Sequence, residues 1–218
     1  MNDNSDQRSL LSERLRPQKL SDLTLPLAVS ERLQRMIDRK RPMNMIFHGP
    51  PGSGKTSAAQ IFLREWEQLE LDTLKINGSL QTGIDVVRDR IEGFARSPFS
   101  NSEELRLCYI DEADYLSASA QASLRVVIER YEHNCRFIFA LNELDKIAVP
   151  LRSRLHGINF AISTANRPSA QLRLQKRLSE RLVEFGVKFD PKRLEEIVSL
   201  YFPDFRRIAN ALEFEFEA

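Results

Sequence analysis

The sequence predicts an α/β domain built on a parallel sheet, followed by a small all-helical domain. Three observations support this prediction. Short apolar strands alternate with amphipathic helices up to about residue 165, a glycine-rich loop joins one of these strands to a helix, and only helical patterns follow. We therefore predict an α/β domain over 12–165 and a helical lid domain over 166–218, with residues 1–11 forming a disordered polar N-terminus.

Five segments have the continuous apolar character of strands that are covered on both faces of a parallel sheet. They are 43–49, 72–78, 104–111, 135–141 and 157–162. The spacing of apolar residues predicts helices between them and beyond them. These helices are 54–69, 83–96, 118–131, 168–185, 191–200 and 204–214. Asp190-Pro191 and Pro203-Asp204 are typical helix starts, so the last two boundaries have a local cause.

Composition limits the class of protein. The 218 residues include 42% hydrophobic residues, enough for an ordinary core, and contain no apolar run of about 18 residues that would span a membrane. Cys108 and Cys135 lie in or beside strand-like runs without metal-ligand spacing, which predicts buried free thiols in a reducing compartment. A net charge of +1 excludes a uniformly basic surface but leaves DNA binding undecided.

The stretch "GPPGSGKT" (49–56) fits the pattern G-x-x-x-x-G-K-[ST] and stands between a predicted strand and a predicted helix, where a phosphate loop belongs. Lys55 is expected to reach the β- and γ-phosphates, and Thr56 to hold Mg²⁺. The predicted nucleotide-binding residues in this loop are Gly49, Pro50, Pro51, Gly52, Ser53, Gly54, Lys55, Thr56 and Ser57.

Polar side chains end the third and fourth predicted strands. In "LRLCYIDEAD" (105–114), Asp111 is expected to orient Mg²⁺ and Glu112 to polarise an attacking water, although a helix N-cap would also explain this acidic pair. Asn142 closes the following strand, where its amide is suited to hold a water beside the γ-phosphate. An asparagine at a strand end is equally compatible with a simple turn.

Two pairs of arginines lie outside the phosphate loop and are candidates for contact with a nucleotide or for the protein surface. Arg206 and Arg207 stand near the start of the last predicted helix, from which one of them can fold over a nucleotide. Arg152 and Arg154 lie in "PLRSRLHG" (150–157) without an evident carboxylate neighbour in the sequence, and a solvated surface position is their simplest explanation.

These motifs, in this order, resemble the AAA+ ATPases, and within them the small subunits of sliding-clamp loaders, the replication factor C and phage T4-type loaders. The resemblance covers nearly the whole chain. Its motifs are "SERLRP" (12–17), "GPPGSGKT", "INGS" with "GIDVVRDRIEGFA" (76–95), "IDEADYLSASAQASLR" (110–125), "LNELDKIAVPLRSRL" (141–155) and "FPDFRRIAN" (202–210).

The resemblance implies Mg²⁺-dependent ATP hydrolysis in a homo- or hetero-oligomer of AAA+ subunits that acts on a sliding clamp and primer-template DNA. Each site would be completed by a neighbour's arginine finger, which corresponds here to Arg154 in Ser153-Arg154-Leu155, while Arg152 would be a supporting or surface residue. We expect such a protein in the cytoplasm, of a bacterial or phage-infected cell, with no membrane association.

The resemblance also implies roles for residues outside the phosphate loop. Arg16 and Pro17 match the adenine-binding motif, Asn142 the sensor-1 position and Arg206 the sensor-2 position. Gln121 matches the residue that couples the DNA-facing helix to the region of Glu112.

DNA contacts would come from the ends of the predicted helices 83–96 and 118–131, through Arg88, Arg90 and Ser119, which would follow the phosphate backbone without reading bases. A solvated helix face, with acidic residues beside the two arginines, is the alternative.

The sequence departs from the family pattern in four places. Leu15 stands where an aromatic residue usually precedes Arg-Pro, Leu155 replaces the cysteine of the finger motif, and Thr82 stands where many subunits carry an arginine. The collar domain that holds clamp loaders together has no counterpart, so we expect either a truncated chain or a different route of assembly.

The sequence therefore favours a clamp-loader-like Mg²⁺-ATPase. An ATP-gated regulatory or decoy module with little turnover is the alternative, favoured by the missing collar. A small-molecule phosphate-loop kinase is a third class, and the acidic pair together with the finger and lid arginines argues against it.

Overall fold

The computed structural model describes residues 10–68, 72–80, 84–97 and 105–216. Thr82 and the first nine residues, about which the sequence made predictions, lie outside these ranges. The strands are Met45–His48 (β1), Thr73–Asn77 (β2), Arg106–Asp111 (β3), Cys135–Leu141 (β4) and His156–Asn159 (β5). All pairings are parallel, in the order β2-β3-β4-β1-β5. The predicted five-stranded parallel sheet with flanking helices is confirmed.

The helices of the described residues include all six that the sequence predicts, with shifted ends. They are Leu11–Arg14 (α1), Leu27–Asp38 (α2), Lys55–Glu67 (α3), Ile84–Arg96 (α4), Ala118–Arg130 (α5), Val149–Arg152 (α6), Arg167–Glu184 (α7), Pro191–Tyr201 (α8) and Phe205–Phe216 (α9). None of them is long and apolar enough to cross a bilayer.

Helices α1, α2 and α6 were not predicted, for identifiable reasons. Helix α2 does carry a helical period, since Val29, Leu33, Met36 and Ile37 pack on the α3-side core from one face, and the prediction overlooked it; no side chain caps its start at Pro26. Helices α1 and α6 are single turns of four residues, too short to show a helical period.

The two faces of the sheet carry separate cores because side chains alternate along each strand. Met45 and Phe47 of β1 pack on the α2 and α3 side, where Trp66 is fully buried. Ile46 faces the other side, which α4 and α5 cover. This second core contains Cys108 and Cys135, both free thiols as predicted, and burial raises the pKa of each.

Helices α7 to α9 form the third core, and the N-terminal segment belongs to it. Leu11 and Leu15 are buried against residues such as Leu174 and Leu178 of α7. Leu11, which we placed in the disordered N-terminus, is helical and buried, and residues 12–15, which we assigned to the α/β domain up to residue 165, pack with the helical domain. Sequence position alone could not show this, because the contact joins residues more than 150 positions apart.

Two glycines offer a matched test of the packing at the sheet edge. The Gly78 amide donates to Asp111 O at 2.8 Å, and a Cβ at Gly78 would lie 2.7 Å from Glu112 O, whereas a Cβ at Gly93 in α4 meets nothing within 4 Å. We expect Gly78→Ala to lower the free energy of unfolding by about 1–3 kcal/mol. Gly93→Ala should raise it by about 0.5–1 kcal/mol, since alanine is the better helix former. Urea unfolding measures both, and equal effects of the two variants would contradict the close approach at Gly78.

Candidate nucleotide-binding site

The phosphate loop leaves the carboxyl end of β1 and enters α3 through backbone conformations that favour glycine. Gly49, Gly52 and Gly54 have φ values of 140°, 71° and 92°. A Cβ at Gly52 would lie 2.0 Å from Oδ1 of Asp204, so this position also excludes a side chain by contact. At these glycines no side chain covers the backbone of the loop. The backbone is therefore accessible at the start of α3, where a helix N-terminus favours anions.

Lys55 is the first residue of α3 and is only 7% exposed. Its Nζ donates to Gly49 O at 2.9 Å and to Pro50 O at 2.8 Å. Burial lowers the pKa of Lys55 to about 8, Asp111 and Asp114 oppose this shift, and Arg206 adds to it. The ammonium is thus held at the loop, and the nearby carboxylates offset only part of the cost of burying its positive charge. A phosphate group could supply the remaining negative charge.

Thr56 and Asp111 lie together at the predicted metal position. Thr56 Oγ1 donates to Asp111 Oδ1 over 3.5 Å, and the same oxygen accepts the amide of Glu112 at 3.0 Å. No group of three His, Cys, Asp or Glu side chains suited to a metal occurs in the described residues. One hydroxyl and one carboxylate fit Mg²⁺, which usually completes its octahedron with water and substrate phosphates.

Glu112 is exposed and has a left-handed backbone, with φ of 51°. The 3₁₀ turn Ala113–Tyr115 follows it, and no side-chain bond caps that turn. The N-cap explanation of the acidic pair is therefore not supported. A non-glycine residue in this conformation costs free energy and is typical of functional sites, because the surrounding structure must hold it there.

Asn142 follows β4 at the same edge of the sheet. Its backbone N–H donates to Asp114 Oδ2 at 3.3 Å, while Asp114 Oδ1 is buried and has no hydrogen-bond partner among the described residues. Tyr109 of β3 is also buried nearby. Burial, followed by the negative charge of Asp111, raises the pKa of its phenol, which therefore stays protonated.

The start of α9 closes over the phosphate loop. The Phe205 amide donates to Gly52 O at 3.0 Å, and Asp204 Oδ1 accepts the amides of Arg206 and Arg207, each at 3.1 Å. The side chains of the two arginines take different positions. Arg206 lines a cleft beside the phosphate loop, whereas the guanidinium of Arg207 lies 5.2 Å from the ring centre of Tyr201.

A cleft of about 330 Å³ lies between the two domains, within the size range of small-molecule sites. It brings together most of the predicted site residues: Arg16, Pro17, Pro51, Gly52, Ser53, Gly54, Lys55, Thr56, Ser57, Asp111, Glu112, Asn142 and Arg206. Gly49 and Pro50 contribute through the carbonyls that hold Lys55.

The cleft is also lined by residues that the sequence analysis did not predict as site residues. They are Ser12, Leu15, Leu23, Gln60, Asp114, Ala140, Leu141, Leu174, Arg177, Leu178, Phe205, Ile208, Ala209 and Asn210. Most lie on helices as ordinary amphipathic positions, so no local signal separates them from core residues. The sequence indicated that Asp204 starts a helix, but it gave no sign that Asp204 lies against Gly52.

Arg154 lies outside this cleft. Its guanidinium pairs with Glu129 of α5 and donates to Pro150 O. Arg152 pairs with Asp145 at 3.3 Å. Both arginines therefore have carboxylate partners, which the sequence gave no sign of, since these partners are brought close only by the fold.

Gln121 is 5% exposed and joins three segments by hydrogen bonds. Its Nε2 donates to Leu116 O and Lys146 O, both at 3.1 Å, and its Oε1 accepts the Ala148 amide at 2.8 Å. One side chain thus connects α5, the turn after Glu112 and the segment that leads into α6.

The predicted DNA contacts lie away from the cleft. Arg88 pairs with Asp85 at 3.7 Å and Asp89 at 3.5 Å on a solvated face of α4, as the alternative explanation describes. Arg90 is exposed on the same helix, and Ser119 Oγ lies 3.0 Å from Ser117 Oγ at the start of α5.

Residues 45–163 match the model of the ATPase family associated with various cellular activities (AAA). The chain belongs to this family. It is 35% identical over 203 residues to the replication factor C small subunit of Archaeoglobus fulgidus, covering 92% of this chain and 62% of that protein. It is 33% identical to the probable replication factor C subunit 5 of Dictyostelium discoideum, covering 92% and 57%. The predicted resemblance to clamp-loader small subunits is thereby confirmed.

Solved structures support the fold. The Thermotoga maritima RuvB Holliday junction branch migration motor superposes with a TM-score of 0.69 at 20% identity, covering 92% of this chain and 64% of that one. The Aeropyrum pernix Orc1 protein in complex with DNA gives 0.67 at 19% identity, covering 93% and 62%. The chain spans just over three fifths of the first curated relatives that it matches. The two replication factor C relatives come from Archaeoglobus fulgidus and Dictyostelium discoideum, and neither supports the expected bacterial or phage host.

The lowered pKa of Lys55 predicts a pH dependence of nucleotide binding. Phosphate binds the charged ammonium, and in the free protein the charged fraction falls as pH rises through about 8. We expect the Kd for ATP to be constant below about pH 7 and to rise above pH 8, approaching tenfold per pH unit.

Lys55→Arg provides the matched control, because a guanidinium keeps its charge throughout this range. Its Kd for ATP should be nearly independent of pH between 7 and 9.5, whatever its absolute value. Calorimetric titration measures both proteins, and parallel pH profiles would show that another group controls the dependence.

Proposed function

We propose that this chain is the ATPase portion of a clamp-loader-like subunit, which hydrolyses ATP with Mg²⁺ in an oligomer and acts on a sliding clamp and primer-template DNA. The observation that carries the proposal is the cleft itself. Lys55, Thr56, Asp111, Glu112, Asn142 and Arg206 converge there from separate elements. Similarity to replication factor C small subunits supports the replication role.

In this proposal the chain's own residues position the triphosphate and a water. Lys55 and Arg206 bring positive charge from α3 and from α9, while Glu112 accepts a proton from the attacking water. Asn142 fixes that water at the end of β4. Thr56 and Asp111 would hold Mg²⁺, which when bound supplies charge neutralisation at the β- and γ-phosphates.

Arg154 completes the site of a neighbouring chain. Its position outside its own cleft supports this role, because a finger must reach away from the nucleotide that its own chain binds. Gln121 connects the turn after Glu112 with the segment before α6, so a change at the nucleotide is transmitted toward the finger. DNA contact through Arg88, Arg90 and Ser119 would require Arg88 to exchange its acidic partners for phosphates.

A regulatory module with low turnover is the second candidate. The pairing of Arg154 with Glu129 favours it, since this ion pair must break, or be shared, before the finger can serve another site. We place either activity in the cytoplasm.

Glu112 separates binding from turnover. Glu112→Gln should keep the Kd for ATP within about twofold and lower kcat by at least about 10²-fold, because the amide cannot accept a proton. Glu143→Gln is the control, since Glu143 pairs only with Lys146 in its described contacts and lies outside the cleft. Unchanged turnover in Glu112→Gln would remove Glu112 from the mechanism.

A mixing experiment tests the finger in trans. Glu112→Gln chains have a complete finger and an inactive site, whereas Arg154→Ala chains have a complete site and no finger. Each should be nearly inactive alone, and an equimolar mixture should recover turnover in the Arg154→Ala sites. The recovery should increase with total protein concentration, because chains must meet.

The control uses Arg152→Ala in place of Arg154→Ala. Because this variant keeps both Glu112 and the finger, it should hydrolyse ATP without being mixed with another variant. If the wild-type protein is active but the mixture of the two variants stays inactive, the finger does not act between copies of this chain. A wild-type protein that binds ATP without turnover at any concentration would favour the regulatory module.

A further inference from the structure

The hydroxyl of Tyr109 is a buried polar group without a hydrogen-bond partner among the described residues. Tyr109 lies in β3 and is only 3% exposed, and its Oη is itself buried. Removing a phenol hydroxyl from water costs free energy unless a new hydrogen bond replaces those with water. A phenylalanine would fill the same space without this cost, so the presence of the oxygen needs an explanation.

The ring of Tyr109 lies in an apolar core. It belongs to the core on the α3 side of the sheet, together with Ala59, Phe62 and Ile138, and Ile138 is its neighbour across β4. None of these side chains can donate or accept a hydrogen bond. The side chains that can supply a partner therefore lie at the edge of this core, toward the carboxyl end of β3.

The geometry of the strand places Asp111 on the same face as Tyr109, because side chains two residues apart point to the same side of a sheet. Thr56, at the start of α3, reaches this place too, with Oγ1 3.5 Å from Asp111 Oδ1. Burial, followed by the negative charge of Asp111, raises the pKa of the Tyr109 phenol, and the Thr56 hydroxyl opposes part of this shift. The phenol is therefore close to the two groups that we propose for Mg²⁺.

The carboxylate of Asp111 has an oxygen available for this phenol. Its Oδ1 accepts the amide of Glu112 at 3.0 Å and the hydroxyl of Thr56. Both contacts use the same oxygen, although an ionised carboxylate can accept hydrogen bonds on each of its two oxygens. The terminal torsion of an aspartate is soft, so the carboxylate can turn to accept a donor that is close by.

We propose that Tyr109 is a positioning residue whose Oη donates to Asp111 Oδ2 when ATP and Mg²⁺ are bound, and so keeps the carboxylate directed at the metal position beside Thr56. The inference rests on the proposed binding of Mg²⁺ and ATP. It adds a residue that does not itself line the cleft. Hydrogen bonds from such outer residues fix the orientation of metal-holding side chains, and here the bond also gives the buried hydroxyl a partner.

Tyr109→Phe tests the inference, because it removes the oxygen and keeps the ring in the core. Electron paramagnetic resonance measures the binding of Mn²⁺, in place of Mg²⁺, to the complex of the chain with ADP. We expect the Kd for Mn²⁺ to rise about tenfold, since the phosphates and Thr56 still hold the ion. The Kd for ADP in the presence of EDTA should not change.

Turnover and stability provide two further measurements. In Tyr109→Phe, the Mg²⁺ concentration for half-maximal ATP hydrolysis should rise about tenfold, while kcat at saturating Mg²⁺ stays within about twofold of wild type. The urea midpoint should not fall, because the variant loses a hydroxyl that has no partner in the metal-free protein. A merely structural role would lower the midpoint and leave Mn²⁺ binding unchanged, and that result overturns the inference.

Tyr131→Phe is the matched control. Tyr131 Oη donates to Glu92 Oε1 at 3.1 Å, and Tyr131 does not line the cleft. This variant loses a hydroxyl that has a partner, so its urea midpoint should fall slightly, whereas its Kd values for Mn²⁺ and ADP should equal those of the wild-type chain. Weaker binding of metal-free ADP to Tyr109→Phe would show a distorted phosphate loop and would also count against the inference.

Failure of the inference is distinguishable from failure of the proposed function. Equal affinities of the wild-type chain and Tyr109→Phe for Mn²⁺ would overturn the role of Tyr109 and leave the ATPase proposal intact. A wild-type chain that binds neither ADP nor Mn²⁺ would overturn both. If the wild-type chain binds ADP but shows no turnover, the Mn²⁺ comparison still decides the role of Tyr109.

Discussion

Parallel strand direction is the constraint on which the site depends. Because β1, β3 and β4 run the same way, their carboxyl ends meet at one edge of the sheet. That edge receives the phosphate loop after His48, the acidic pair after Ile110 and Asn142 after Leu141. An antiparallel neighbour would remove one of these groups to the opposite edge. The close approach of Gly78 to Asp111 and Glu112 adds the carboxyl end of β2 to the same place.

The site is shared between two domains with different kinds of packing. The α/β domain supplies main-chain conformations fixed by glycines and by the buried sheet, and these change little without unfolding. The lid supplies Arg206 and Arg177 from helices that bond the phosphate loop at Gly52 O and the segment of residues 15–22 at Leu15 O and Asp22 O.

Gln121 and Glu129 give α5 a central place in this scheme. One turns inward to bond the segments after Glu112 and before α6, and the other meets Arg154 on the outer side. Helix α5 therefore contacts both the turn after Glu112 and Arg154. In the proposed function, these two contacts would link events at the nucleotide to the arginine that serves another chain.

The sequence by itself determined the sheet, six of the seven longer helices of the described residues and the phosphate-loop end of the cleft. These follow from local signals, namely apolar runs, helical period and the spacing of "GPPGSGKT". Helix α2 was overlooked although Val29, Leu33, Met36 and Ile37 share one of its faces, and Leu174 and Arg177 had no local signal as site residues. The tertiary structure alone decided that Leu11 and Leu15 join the lid, that Arg154 meets Glu129 and that Arg177 spans two carbonyls. Each of these contacts joins residues distant in the chain, and a local pattern carries no information about which distant surfaces meet.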